Sequence, residues 1–167
     1  MILWTWKTWQ DRPYLTCGLI PQPHGFFTSH FYPQSPKDLV NVILPAASVS
    51  QVKQVHSADV LTPSEIEQAS AKGLPDLPDG TLAPFPLADG VISEQSEQSV
   101  WACSADCTPA LISDVKTGQV AAVHAGWRGT AQKIVPVAVQ RLLSQGSELK
   151  DLRVALGPAI EGSVYQV

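Results

Sequence analysis

Apolar positions along this chain switch repeatedly between a period near two and a period near 3.6 residues, the pattern of short strands interspersed with helices. Ile2 to Ile20 alternates aromatic and polar residues and reads as one or two short strands broken near Asp11-Arg12-Pro13. His24 to Thr28 reads as a strand entered through a turn. In Pro33 to Leu44 the residues Leu39, Val40 and Ile43 stand at helical spacing behind Ser35-Pro36, which predicts a short helix capped by Ser35. Val49 to Leu61 reads as a strand carrying His56 near its middle.

From Ala71 to Gly90 the chain is broken by proline and glycine and is predicted to be a long loop, of a length that suits a functional rim or lid. Ser99 to Cys103 and Ala110 to Ser113 read as buried strands interrupted by Asp106-Cys107-Thr108-Pro109. Gln119 to His124 is a further strand, joined through Lys116-Thr117-Gly118. A helix over Thr130 to Leu143 places Ile134, Val135, Ala138, Leu142 and Leu143 on its core face, with a bend at Pro136. Leu152 to Leu156 forms a last strand, and Val167 falls at what reads as the start of another. Strands and helices do not alternate regularly, so α/β layers around mixed sheets are expected rather than a doubly wound parallel sheet.

With 167 residues, of which 44% are hydrophobic, the chain suits a single domain with a real core. Its 11 basic and 15 acidic residues give a net charge of -4 without a basic stripe, which argues against nucleic acid as a partner. Met1 to Gln10 holds three tryptophans and Lys7 but no signal-peptide core. No stretch approaches the roughly 20 apolar residues of a membrane helix, so no membrane partner is expected. Cys17, Cys103 and Cys107 do not form the framework of a small secreted domain, and a reducing cytoplasm fits them best.

The candidate chemistry lies at strand ends. His124 closes the apolar run Val120-Ala121-Ala122-Val123 and leads at once into a glycine-bounded turn, the kind of place where α/β sheets build sites. Cys107 stands at another strand end, between Asp106 and Pro109. Together with His56 these are a thiolate and two imidazoles, the donors zinc prefers, and three ligands without a fourth leave a position open for chemistry. The bland readings are hydrogen-bonded core histidines and a small buried hydrophobe at Cys107. Cys103 makes a C-x-x-x-C pair with Cys107, which is not a zinc-ribbon spacing, so Cys103 is assigned to the core. In Ala125-Gly126-Trp127-Arg128-Gly129-Thr130, amides at a helix start and the Arg128 fork could take an anion such as phosphate, or form a tight turn with a surface arginine. Trp127 could stack on a base but suits the core better.

These segments resemble a known family. Ala105-Asp106-Cys107-Thr108-Pro109, Ala121 to Thr130 and Gly157-Pro158-Ala159-Ile160 are similar to the bacterial laccase-domain family, also called the multicopper polyphenol oxidase family, the purine nucleoside phosphorylase family and the peptidoglycan editing factors. Gln54-Val55-His56 and Ala88-Asp89-Gly90 match its earlier motifs in order, and the resemblance runs from about His24 to Val167. It implies a zinc site of His56, Cys107 and His124, which are the candidate catalytic residues, while Gly126, Arg128 and Gly129 are the anion-binding candidates that the turn itself offers. It implies a layered α/β/β/α-type domain with mixed sheets, resembling cysteine-hydrolase toxin domains. The activities implied are phosphorolysis of adenosine, inosine and methylthioadenosine, with purine nucleoside and phosphate as partners, and deamination of adenosine. A cell-wall precursor-editing amidase and a copper-dependent polyphenol oxidase are further activities attached to the family.

Two departures stand out. Where the family carries an arginine after the His24 to Thr28 stretch, this chain has Ser29-His30-Phe31. The chain also ends where family members continue, so residues 1–167 read as one laccase-like domain truncated at its carboxy terminus, with an apolar edge left exposed. A multicopper oxidase needs several histidine-rich centres, and this chain has four histidines, so copper in vitro is expected to be a matter of loading. The zinc nucleoside deaminase signature, H-x-E followed by P-C-x-x-C, is absent, so deamination would use another scaffold. A non-enzymatic, zinc-stabilised domain is the remaining alternative.

Overall fold

Gln10 and Asp11 both take positive φ, 49° and 60°, and this two-residue turn closes a hairpin between β1 (Trp4–Trp9) and β2 (Arg12–Cys17). The computed structural model describes residues 3–165, so the expectations at Ile2 and Val167 lie outside the described residues. The break falls one residue earlier than the sequence suggests. Arg12 and Pro13 belong to β2, where Pro13 pairs with Thr8. Of the stretch from His24 to Thr28, Phe26–Phe27 alone forms a strand, β3, which completes a three-stranded sheet in the order β1-β2-β3.

Helix α1 (Pro36–Ile43) begins where the sequence places it. The Asp38 carboxylate accepts from the Ser35 N–H at 2.8 Å and from its hydroxyl at 2.7 Å, fixing the first turn. The expected strand from Val49 to Leu61 is instead two short ones, β4 (Ser48–Ser50) and β5 (Val60–Leu61), with an irregular segment between them. A helix that the pattern did not predict, α2 (Pro63–Lys72), follows, capped reciprocally by Thr62 and Glu65. The segment 73–89 has no helix or strand, although Ala83 and Ala88 within it are fully buried.

Strands β6 (Gly90–Ile92), β8 (Thr108–Asp114), β9 (Val120–Ala125) and β10 (Leu152–Leu156) join β5 in a five-stranded mixed sheet, ordered β10-β8-β9-β6-β5. Its pairings are antiparallel except for β5 and β6, which run parallel. β7 (Gln98–Val100) pairs in parallel with β4, so the strand expected from Ser99 to Cys103 stops at Val100. Thr108 and Pro109 do not interrupt a strand; they open β8.

The helix expected from Thr130 to Leu143 is two helices, α3 (Trp127–Ala131) and α4 (Ile134–Ser144), separated at Lys133, whose φ is 66°. Pro136 accounts for the break. Its ring would clash with the Gln132 carbonyl in a continuous helix, but in the first turn of a new helix its missing N–H costs nothing. The proline therefore starts α4 rather than bending it.

Alternation along β8 and β9 turns Ala110, Ile112, Ala121 and Val123 towards α4, where they form the main core with Ile134, Ala138 and Leu142. On another side of the sheet Ala155 meets Cys17, Ile20 and Phe26 from the amino-terminal sheet. The result is the expected α/β architecture of layers around mixed sheets. β10 lies at the edge of the large sheet, with Val154 and Leu156 exposed. No helix among the described residues is long and apolar enough to cross a membrane.

Candidate metal centre

Strand register brings distant residues to one point. β8 and β9 pair Thr108 with Ala125 and Pro109 with His124, so one step further along the ladder Cys107 comes opposite Gly126. β6 and β9 pair Gly90 with Val123, which sets Asp89 opposite His124, and the His124 N–H donates to the Asp89 carbonyl at 2.7 Å. The third approach comes from the segment before β5, which holds His56. One donor atom from each of His56, Cys107 and His124 lies within 4.8 Å of the others. Cys107 and His124 are buried while His56 is exposed, so the cluster opens to solvent on the His56 side.

His56 is not on a strand, contrary to the sequence reading; it sits at φ 62°, a conformation that costs a β-substituted residue about 1 kcal/mol or more. The buried Asp89 carboxylate holds it there. Its two oxygens accept from three consecutive amides, Val55 at 3.0 Å, His56 at 3.0 Å and Ser57 at 2.7 Å, so the backbone wraps the carboxylate as a nest. The Gln132 side chain donates to the His56 carbonyl at 3.2 Å from the opposite direction. Asp89 also accepts from His124 Nδ1 at 2.9 Å. An ionised carboxylate only accepts, so Nδ1 carries the proton and Nε2 keeps its lone pair for a metal. Burial by itself would raise the Asp89 carboxyl, but the bonds from His124 and the three amides outweigh it and hold the group below the usual carboxylate range.

Gly126 lines the cluster. A Cβ built on it would lie 2.9 Å from Cys107 Sγ and 3.4 Å from both His124 Cε1 and His56 Cδ2. The space against all three donors therefore exists only because residue 126 has no side chain. That cradle, with two imidazoles and a thiol around it, fits an ion of the zinc or copper type.

The other site residues expected from sequence lie as follows. Gly129 is buried, and a Cβ there would meet the Ser57 carbonyl at 3.1 Å and the His124 carbonyl at 3.3 Å, so it lets α3 approach both histidine segments. Arg128 and Trp127 are exposed, with the guanidinium 5.2 Å from the Trp127 ring centroid, a cation–π contact rather than a core packing of the indole. Among the described residues Arg128 makes no ion pair. Cys103 is exposed, not in the core: the Gln54 amide exchanges two hydrogen bonds with its backbone, 2.7 and 2.6 Å, which keeps it on the irregular segment outside β7. Two further residues with contacts at the centre are ones to which the sequence pattern assigns no role. Asp89 stands in a motif that gives it no chemical role, and Tyr165, whose Oη is 3.5 Å from Cys107 Sγ, lies in no motif. The contact with Cys107 pushes the Tyr165 phenol up from its ordinary value, so it keeps its proton.

The family described as multi-copper polyphenol oxidoreductase laccase matches residues 37–167. A purine nucleoside phosphorylase of Synechocystis sp., slr1573, is 53% identical over 166 residues, 99% of this chain and 60% of its own length. The chain thus spans about three-fifths of that relative. An adenosine deaminase, RL5, from an unknown prokaryotic organism is 38% identical over 64 residues, 38% of this chain and 24% of its own. Among solved structures, YlmD from Geobacillus stearothermophilus superposes with a TM-score of 0.69 at 24% identity, covering 96% of this chain and 67% of that one, and so shares the fold.

Proposed function

This chain belongs to the multi-copper polyphenol oxidoreductase laccase family, and from that premise we propose that it is the metal-bearing part of a zinc-dependent purine nucleoside phosphorylase working in the cytoplasm. The observation that carries the proposal is the cluster of His56, Cys107 and His124 donors around the Gly126 cradle, open on one side. The name of the Synechocystis relative supplies the reaction.

Under this reading His56, Cys107 and His124 hold the ion, and zinc bound there supplies a Lewis acid that polarises a substrate oxygen. Asp89 keeps His124 in the tautomer that presents Nε2 and keeps the His56 backbone in its left-handed turn. The buried positions of Cys107 and His124 limit water on their side, and the exposed His56 faces the approaching substrate. Phosphate is assigned to Gly126, Arg128 and Gly129: Gly126 lines the cluster, Gly129 draws the helix start up to it, and the exposed Arg128 fork, lying against Trp127, is able to pair with an anion. The donor set suits either ion, and zinc is proposed over copper because phosphorolysis calls for a Lewis acid and no redox partner.

A second reading is adenosine deamination, favoured by the name of the RL5 relative. One assay separates the two. A full-length protein containing this domain is supplied with inosine or adenosine, with and without phosphate, and products are resolved chromatographically. Hypoxanthine and ribose 1-phosphate formed from inosine only with phosphate is the expected result. Conversion of adenosine to inosine independent of phosphate would favour deamination, and no turnover of either nucleoside by zinc-loaded protein would contradict both.

A further inference from the structure

The segment that follows β10 has an unusual economy. Its residues from Pro158 to Val164 are exposed, with Ile160 and Val164 at 42% and 59%, so burial does not hold it in place. Two main-chain hydrogen bonds do. The Gly157 N–H donates to the Pro109 carbonyl at 2.7 Å and the Ile160 N–H to the Asp106 carbonyl at 3.0 Å, bracketing Cys107 between their acceptors. Gly157 is packed so closely that a Cβ would lie 2.3 Å from two Phe26 ring atoms and 2.8 Å from Pro109 Cγ. After a turn closed by Val164 N–H to the Glu161 carbonyl, 3.0 Å, the chain brings the Tyr165 hydroxyl to 3.5 Å from Cys107 Sγ.

We propose that Tyr165 is a positioning residue of the metal centre, its hydroxyl donating a hydrogen bond to the Cys107 sulfur, and that residues 157–165 are the strap that delivers it. A ligating thiolate has no proton to give, so the phenol O–H must be the donor, and a bond to a charged acceptor is about twice as strong as a neutral one. Tyr165 thereby does for the thiolate what Asp89 does for His124: it fixes the ligand's direction from outside the donor set. The proposal rests on reading the cluster as a metal centre.

The test uses the whole chain with Tyr165→Phe and Tyr165→Ala. In metal-free protein, iodoacetamide labelling of Cys107 is followed by peptide mapping, with the exposed Cys103 as internal reference. Tyr165→Ala is expected to speed Cys107 labelling several-fold by uncovering the sulfur; an unchanged rate means that Tyr165 does not lie over it and overturns the proposal. Zinc affinity is then measured against a chromophoric chelator, and the cobalt-substituted spectrum is recorded. Tyr165→Phe is expected to weaken zinc binding about tenfold or more, with thermal stability unchanged. Its thiolate-to-cobalt charge-transfer band is expected at lower energy, because the sulfur lone pairs lose their hydrogen bond. Wild-type affinity and spectrum in Tyr165→Phe would overturn the hydrogen bond while leaving the metal centre standing. Failure of the wild type itself to bind either ion would overturn both.

Discussion

Asp89 Oδ1 accepts the Nδ1–H of His124 at 2.9 Å while the same carboxylate gathers the amides of Val55, His56 and Ser57. One buried side chain thus orients both histidines of the cluster, one through its ring and the other through its backbone. Asp89→Asn offers one acceptor oxygen where two are used and places an amide NH2 among donors. We expect it to lower stability by about 1–3 kcal/mol for the orphaned donors and to weaken metal binding at least tenfold. Urea unfolding and chelator competition on the same preparation check the two effects.

Gly126 lies at φ -66°, ψ 170°, which any residue tolerates, so its need for glycine comes from the space and not from the backbone. Gly126→Ala would place a methyl 2.9 Å from Cys107 Sγ. The expected outcome is a protein with a wild-type circular dichroism spectrum and an at least tenfold loss of zinc affinity. Unchanged affinity would mean that the ion sits away from this wall.

The sequence carried the parts of this site that depend on strands. Cys107 and His124 are legible because each ends an apolar run, and the antiparallel register of β8 and β9 then brings the ends together. His56 is legible as a residue but reads as strand, because its left-handed turn is imposed by Asp89, 33 residues away, and local pattern carries no trace of so distant a partner. The helix α2 did leave a trace, Thr62-Pro63 with Glu65 three residues on from the cap, but its weak apolar stripe hid it. Pro136 marks an irregularity but not its form, since a proline at that position can open a helix as readily as bend one. Cys103 reads as core by residue type, yet the Gln54 amide ties its segment to the surface. Tyr165 was illegible because the strap that delivers it is exposed and aperiodic.

Acid stability should report a site far from the metal. Asp114, buried at the end of β8, has its carboxyl lowered to about 2: burial would raise it, but the neighbouring Ser147 hydroxyl and the N–H groups of Thr117 and Lys116, which donate to Oδ1 at 2.9 and 2.7 Å, prevail. A carboxylate lowered on folding stabilises the native state above its unfolded value. That contribution, about 2 kcal/mol, is therefore complete above about pH 4 and lost as pH falls towards about 2. Urea unfolding across this range should show the decline, and Asp114→Asn should be less stable at neutral pH with a flatter acid limb. Parallel curves for the two proteins would contradict the assignment.

The central claim is that His56, Cys107 and His124 together hold one ion, and elemental analysis of zinc-supplemented, desalted protein tests it most directly. The wild type and Cys103→Ser are expected to carry about one zinc per chain, and Cys107→Ala close to none with its circular dichroism spectrum preserved. Equal zinc in Cys107→Ala and the wild type would contradict the account.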